Sequence, residues 1–197
     1  MEVYLLVLIA YLLGSVPTGY IVGCWAGVDV RKAGSGNVGA TNVARVVGGR
    51  EGIFTLVADA AKGFVPVMIA VALGLTPAWV AAVGIAAFLG HLYPVFLKFR
   101  GGKGVATALG IFLALAPWST AVLIVVFAAV VLTTRLVSLS SMAAAVCAPA
   151  VLWLSSYPRV WVFMSLLIAA MIILRHRENI QRLLSGTEPR SGATSSR

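Results

Sequence analysis

Charge is scarce in this 197-residue chain: 11% of its residues are charged, 60% are hydrophobic, and the mean hydropathy is +1.00. A soluble domain of this size needs far more charge to cover its surface, which leaves a polytopic, all-α membrane protein. Carboxylates are scarcer still, six against fifteen Lys and Arg. With two histidines in all and no Cys/His ligand spacing, no metal site is expected. The two cysteines, Cys24 and Cys147, sit in different apolar runs and read as small buried thiols, not as a disulfide. There is no internal repeat and no alternating strand and helix pattern. The net charge of +9 raises nucleic acid as a partner, but the cations sit in short loops between apolar runs. That placement suits membrane topology and an anionic lipid or substrate, so no nucleic acid is expected.

What is abundant is apolar length. A spanning helix needs about 20 apolar residues. Residues 3–25, 53–75 and 77–97 meet this, and shorter runs follow at 105–116, 118–134, 137–154 and 160–174. The first begins after Met1-Glu2, without a basic leader region or a small-residue cleavage site, and reads as a membrane helix. The expectation is about seven transmembrane helices, the fourth too short to cross unless its ends are buried in protein. A five-span reading is the alternative. Alternate connections carry Arg31, Lys32, Arg45 and Arg50, then Lys98, Arg100 and Lys103, then Arg135, then Arg175, Arg177 and Arg182. The opposite side has Glu2, two uncharged turns and Arg159. The positive-inside rule then puts the N-terminus outside and the C-terminus in the cytoplasm. Residues 1–184 are expected to form one transmembrane domain, and 185–197, rich in Ser, Thr, Arg and Gly, a disordered cytoplasmic tail.

Between the first two runs lies Gly34-Ser-Gly-Asn-Val-Gly-Ala-Thr-Asn-Val-Ala-Arg45. Gly34–Gly39 matches G-x-G-x-x-G, and Asp59 lies 20 residues beyond Gly39, but no βαβ unit surrounds it, so a dinucleotide fold is excluded. What remains is a backbone cradle for an oxyanion, with Ser35, Asn37, Thr41 and Asn42 as added donors. Arg45 reaches the same ligand if Gly39 to Val46 is helical. A second segment, Phe99-Arg-Gly-Gly-Lys-Gly-Val-Ala-Thr107, places Lys103 between Gly102 and Gly104 at the membrane surface. It is not a P-loop, because Gly104 stands where Ser or Thr belongs and Leu97 where the first glycine belongs. Its glycines permit close phosphate approach, with Lys103 as a point charge. His91, at the end of the third run, is either a packing or a substrate-facing histidine. Asp59 and Lys62 are charges inside the second run, three apart on one face, and read equally as a functional pair or a structural ion pair. Ser138, Ser140 and Ser141 open the sixth run, where helix capping is the simplest role. His176 and Asn179 share a helical face within Arg175-His-Arg-Glu-Asn179, which suggests a ligand contact. All three polar segments fall on the cytoplasmic side of a seven-span chain, which puts the active site there.

Taken in order, these segments resemble the acyl-phosphate-dependent glycerol-3-phosphate acyltransferases of bacterial inner membranes. The matching residues are Gly14-Ser-Val-Pro-Thr-Gly19, Gly34 to Asn42 with Arg45, Asp59-x-x-Lys-Gly63, Gly90-His-x-x-Pro-Val-Phe96, Phe99-x-Gly-Gly-Lys-Gly-Val-Ala-Thr107, Arg175-His-x-x-Asn-Ile180 and Gly186-Thr-Glu188. The resemblance implies transfer of a fatty acyl group from a long-chain acyl phosphate to the sn-1 hydroxyl of glycerol 3-phosphate. The products are lysophosphatidic acid and phosphate, in a multi-pass protein of the bacterial inner membrane that needs no cofactor. It assigns Ser35, Asn37, Arg45, Lys103, His176 and Asn179 to catalysis, and Gly34, Gly36, Ala40, Thr41, Asn42, His91, Gly102, Gly104 and Ser141 to substrate binding. Membrane lipid is a further partner, as is transient contact with the soluble enzyme that forms acyl phosphate.

Chemistry suits this reading independently. Both substrates carry a phosphate that needs an anion site while the acyl chain lies in lipid, and an acyl phosphate is a mixed anhydride whose phosphate leaves readily once its charge is stabilised. The His-x₄-Asp motif of other glycerolipid acyltransferases is absent, since Phe96 and Gln181 follow His91 and His176 by five residues. The proton acceptor is therefore either His176 or a substrate phosphate oxygen, and the scarcity of carboxylates favours the second. Two rival classes remain: an organophosphate transporter, which would be expected to show repeats and midplane ligands, and a membrane-anchored interaction protein.

Overall fold

The computed structural model describes residues 2–191, and every element of regular structure among them is helical. They form two compact units, Met1–Leu115 and Ala116–Arg197. The seven apolar runs all become helix, with shifts at their ends.

In the first unit the leading run is two helices, α1 (Glu2–Ser15) and α2 (Thr18–Trp25). Pro17 has no N–H to continue the ladder and disfavours helical backbone at Val16, so the run breaks there. A short helix, α3 (Ala40–Val46), lies in the following loop. α4 (Gly49–Ala72) starts four residues before the apolar run does, and α5 (Pro77–Leu92) opens with a proline whose missing N–H costs nothing at that position. A single 3₁₀ turn at Val95–Leu97 and then α6 (Val105–Leu115) complete the unit. α1 packs on α5 and α4 on α6 with their backbones nearly touching. A Cβ on Gly14 would overlap the Ala87 carbonyl, and one on Gly90 that of Tyr11; a Cβ on Gly63 would overlap the Thr107 carbonyl, and one on Gly110 that of Ala60. In lipid, where apolar burial drives little association, such small-residue contacts are what bring helices together.

The second unit contains α7 (Pro117–Thr134), α8 (Val137–Leu154), α9 (Arg159–Arg175) and α10 (Arg177–Leu184). α7 packs on α8 and α8 on α9. α9 breaks at His176, and α10 leaves it bent by 58°.

Among the described residues, five helical stretches have the length and composition to cross a membrane: Glu2–Trp25, Gly49–Ala72, Pro77–Leu97, Pro117–Thr134 and Val137–Leu154. The bent pair α9 and α10 makes six if counted as one span. α6, with 11 residues, rises about 16 Å, roughly half the thickness of a hydrocarbon core. Large apolar side chains such as Trp118, Leu132 and Leu154 are four-fifths or more exposed, as a lipid-facing surface requires. Cys24 is exposed and Cys147 half-buried, so neither is the fully buried thiol expected; both are free. Of the tail expected to be disordered from Ser185, residues 185–191 are described, and the Ser191 N–H donates to the Arg135 carbonyl at 2.7 Å. Hydrogen bonds thus tie the chain down past Leu184, while residues 192–197 lie outside the described residues.

Candidate active site

The loop after α2 is organised from inside by one residue. Asn42, on the first turn of α3 and 2% exposed, donates its side-chain amide to the carbonyls of Val30 (3.0 Å), Ala33 (3.1 Å) and Asn37 (2.9 Å), and its Oδ1 accepts the Ser35 N–H at 2.8 Å. Four polar bonds on one buried side chain leave little for a ligand, so Asn42 positions the cradle instead of projecting into it. Gly34 and Gly36 turn the chain through the left-handed region at φ 59° and 70°, and a Cβ on Gly34 would overlap Asn42 Oδ1. Val22, Val30, Val38 and Val43 form the buried floor, with Leu97 packed against it. Ser35, Thr41 and Arg45 are exposed, and Asn37 and Ala40 half-buried. α3 is helical as the Arg45 argument required, so Thr41 and Arg45, four apart, share a face. Asn37 Oδ1 accepts the Gly39 N–H at 2.8 Å and closes a local turn. At the loop's start Arg31 grips Asp29 through Nε and Nη2, both at 2.9 Å, and lies 4.3 Å from the Tyr20 ring centre. Those hydrogen bonds hold the Asp29 carboxyl at about 2. Replacing Asn42 with Ala strips three carbonyls and one N–H of their partner, a cost of about 1–3 kcal/mol for each buried group left unsatisfied. The expected outcome is a folded transmembrane body with a loosened loop, read as faster amide exchange across residues 33–43.

The glycine segment is built differently. Lys98 and Phe99 both adopt positive φ, 51° and 62°, and the strained turn is held by the Phe99 N–H to the Pro94 carbonyl at 2.9 Å. The Gly101 and Gly102 N–H groups donate to the carbonyls of Leu92 and His91, both at 3.1 Å. A Cβ on Gly101 would overlap the His91 carbonyl, one on Gly102 the His91 imidazole, and one on Gly104, at φ 83°, the Phe88 ring. These glycines are needed for close packing beneath Lys103, a requirement composition alone does not reveal. His91 is 7% exposed and lies under this segment, so its position is that of a support and not of a surface group. Its Nδ1 is 3.9 Å from Asp59 Oδ1, which pairs with Lys62 Nζ at 2.5 Å. Asp59 and Lys62 are therefore a buried ion pair, with side chains 3% and 9% exposed.

In the second unit His176 is 3% exposed, and its Nδ1 is 2.8 Å from the Ile172 carbonyl. A carbonyl only accepts, so Nδ1 carries the proton and Nε2 is the basic nitrogen. The Ser141 hydroxyl donates to the Val137 carbonyl at 2.9 Å. Asn179, 6% exposed, donates to Glu188 Oε1 at 2.6 Å, joined by Ser138 at 2.7 Å, while Arg182 Nε donates to Oε2 at 2.7 Å. Glu188, matched from sequence in Gly186-Thr-Glu188 but given no role there, is the carboxylate that gathers these donors. Burial pushes its carboxyl up, but the bonds from Ser138, Asn179 and Arg182 together outweigh this and hold it below the ordinary glutamate range. A depressed carboxyl contributes stability that is complete above the ordinary range and is lost as pH falls below it. Exchange protection of the Ser191 amide is therefore expected to drop as pH falls below the ordinary glutamate range, and Glu188→Gln to remove that pH dependence. Among the described residues no group of three or more His, Cys, Asp or Glu gathers in a way that would hold a metal.

Fold and site together define a helical, multi-pass membrane protein with an amide-organised glycine loop and a glycine-framed lysine, both suited to anions. Residues 4–186 match the family model described as glycerol-3-phosphate acyltransferase. The chain is 55% identical over 182 residues to the glycerol-3-phosphate acyltransferase of Geobacter metallireducens, covering 92% of this chain and 93% of that protein. Against that of Aquifex aeolicus it is 47% identical, covering 96% and 100%. It superposes on a crystal structure of PlsY, an integral membrane glycerol 3-phosphate acyltransferase, in its glycerol 3-phosphate form, with a TM-score of 0.94, 46% identity and coverage of 98% and 96%. The lysophosphatidic acid form gives 0.92 and 45%, with the same coverage. This chain belongs to the glycerol-3-phosphate acyltransferase family.

Proposed function

We propose that this protein transfers a fatty acyl group from acyl phosphate to the sn-1 hydroxyl of glycerol 3-phosphate, in phospholipid synthesis at the bacterial inner membrane. The observation that carries the reading is its near-complete likeness to a protein solved with both glycerol 3-phosphate and lysophosphatidic acid. The hydroxyl oxygen of glycerol 3-phosphate attacks the acyl carbonyl carbon, the bond from that carbon to the phosphate oxygen breaks, and phosphate leaves with the electron pair. The loop at Gly34, Gly36 and Ala40, through the side chains of Ser35, Asn37 and Thr41, stabilises the leaving phosphate, and Asn42 holds the loop in place. Arg45 and Lys103 neutralise substrate phosphate, with Gly102 and Gly104 allowing close approach. Ser141, His176 and Asn179 are assigned to glycerol 3-phosphate by resemblance, and residues 1–184 to one acyltransferase domain. The proton goes to a substrate phosphate oxygen; with the Nδ1 proton directed at the Ile172 carbonyl, His176 Nε2 is the alternative acceptor.

Seven crossings belong to the same proposal, with the N-terminus outside, the C-terminus in the cytoplasm and the chemistry on the cytoplasmic face. α6 would complete the count: most of its residues are buried, so its short ends need not meet lipid. Acyl phosphate arrives from lipid or from the soluble enzyme that makes it. The test is to give purified protein glycerol 3-phosphate with palmitoyl phosphate or with palmitoyl-CoA and to measure lysophosphatidic acid by mass spectrometry. Product from the phosphate donor alone supports the proposal. Product from the CoA donor alone, or from neither, overturns it.

A further inference from the structure

The buried ion pair in α4 has no part in the reaction as written, yet it sits where the first unit's critical segments meet. Lys62 Nζ donates to Asp59 Oδ1 at 2.5 Å and also to the Val16 carbonyl. Val16 is where Pro17 breaks the first span, so the ammonium neutralises the exposed carbonyl end of α1. The same Asp59 oxygen lies 3.9 Å from His91 Nδ1. The opposite edge of that ring, Nε2, lies against the backbone of Gly102, which has room only for hydrogen. Asp59 acts a second time through its backbone: its carbonyl accepts the Thr107 hydroxyl at 3.0 Å in a buried bond between α4 and α6. Asp59 thus holds the segment carrying Lys103 from both ends, through His91 at Gly102 and directly at Thr107. A small cavity beside the pair is lined by Val16, Asp59, Lys62, His91, Pro94 and Leu97 among others, and Leu97 also packs on the floor of the amide-rich loop.

A buried ion pair inside an apolar span is costly to desolvate and is weak evidence for stability, whereas its fixed, directional bonds set geometry. We infer that Asp59, supported by Lys62, is a positioning residue for Lys103, transmitting its place through His91 to Gly102 and through its own carbonyl to Thr107. The inference rests on the acyltransferase reading only in taking Lys103 as a group that binds substrate phosphate. Neither Asp59 nor Lys62 touches substrate; they fix where the Lys103 backbone runs.

The experiment is a double-mutant cycle on the dissociation constant for glycerol 3-phosphate, measured by calorimetry on the purified full chain, with turnover of palmitoyl phosphate followed in parallel. Asp59→Asn keeps the shape and removes the charge. It should weaken binding about tenfold in the wild-type background and less than about twofold in Lys103→Ala, because residues acting as one unit are not additive. Lys62→Arg, which retains the cation, should stay within about threefold of wild type. If Asp59→Asn does not fold, Thr107→Val, which removes one hydroxyl at nearly constant volume, should weaken binding about threefold and again add nothing in Lys103→Ala. Effects that multiply fully across the cycle, or folded variants that bind as wild type does, overturn the inference. Wild-type binding without turnover would overturn the acyltransferase reading and leave the cycle to decide the positioning claim. Absence of wild-type binding would overturn both.

Discussion

Lys103→Ala is expected to lower kcat/KM for glycerol 3-phosphate by about 10²–10³-fold, the usual loss when one preorganised group facing developing oxyanion charge is removed. The size of the effect comes from how its backbone is held. Gly102 lies against the His91 imidazole and Gly104 against the Phe88 ring, at approaches that exclude a Cβ on either. The lysine side chain therefore departs from a fixed point. Lys103→Arg should recover only part of the activity, because a planar fork on the same frame cannot reproduce a compact ammonium. Initial rates at varied glycerol 3-phosphate check both variants. Equal kcat/KM in Lys103→Ala and wild type would remove Lys103 from the chemistry.

Gly110→Ala is expected to be the most destabilising single methyl in the first unit. Its Cβ would overlap the Ala60 carbonyl and crowd the Phe64 N–H, all backbone atoms of α4 that have no rotamer by which to yield. α4 and α6 must then separate, at a cost of about 3 kcal/mol, the upper end of what overpacking usually takes. In a chain of this length that lowers Tm by about 6–12 °C. Gly49→Ala is the matched control: nothing lies within 4 Å of a Cβ there and the position is helical, so Tm should hold or rise slightly. Because α6 follows Lys103 by two residues, Gly110→Ala should also reduce activity in whatever fraction remains folded. Thermal unfolding of the detergent-solubilised variants, followed by circular dichroism, decides the comparison.

The helices were legible in the sequence because apolar length alone dictates them in a membrane. The break at Pro17 was visible as a proline, but not its consequence, a carbonyl end for Lys62 to neutralise. Asp59 and Lys62 three apart on one face were legible as a pair; that they meet His91 and Thr107 depends on helix crossings that no local pattern encodes. Asn42 illustrates the limit at the site itself. Its residue type suggested a donor to ligand, yet the loop bends its own carbonyls inward to use that amide, a choice made by three-dimensional closure. Glu188 stood in a matched segment, but its role was hidden for the opposite reason: a polar, Ser- and Gly-rich tail has the composition of disorder, and one carboxylate meeting Ser138, Asn179 and Arg182 is enough to hold part of it.

The most direct test of the central claim is phosphorus NMR of the purified protein with glycerol 3-phosphate and palmitoyl phosphate, following every phosphorus species in one sample. The account predicts that inorganic phosphate and lysophosphatidic acid appear in equal amounts as the acyl phosphate signal falls, with no release when glycerol 3-phosphate is omitted. Phosphate released without lysophosphatidic acid, or an unchanged spectrum from folded protein that binds glycerol 3-phosphate, would contradict it.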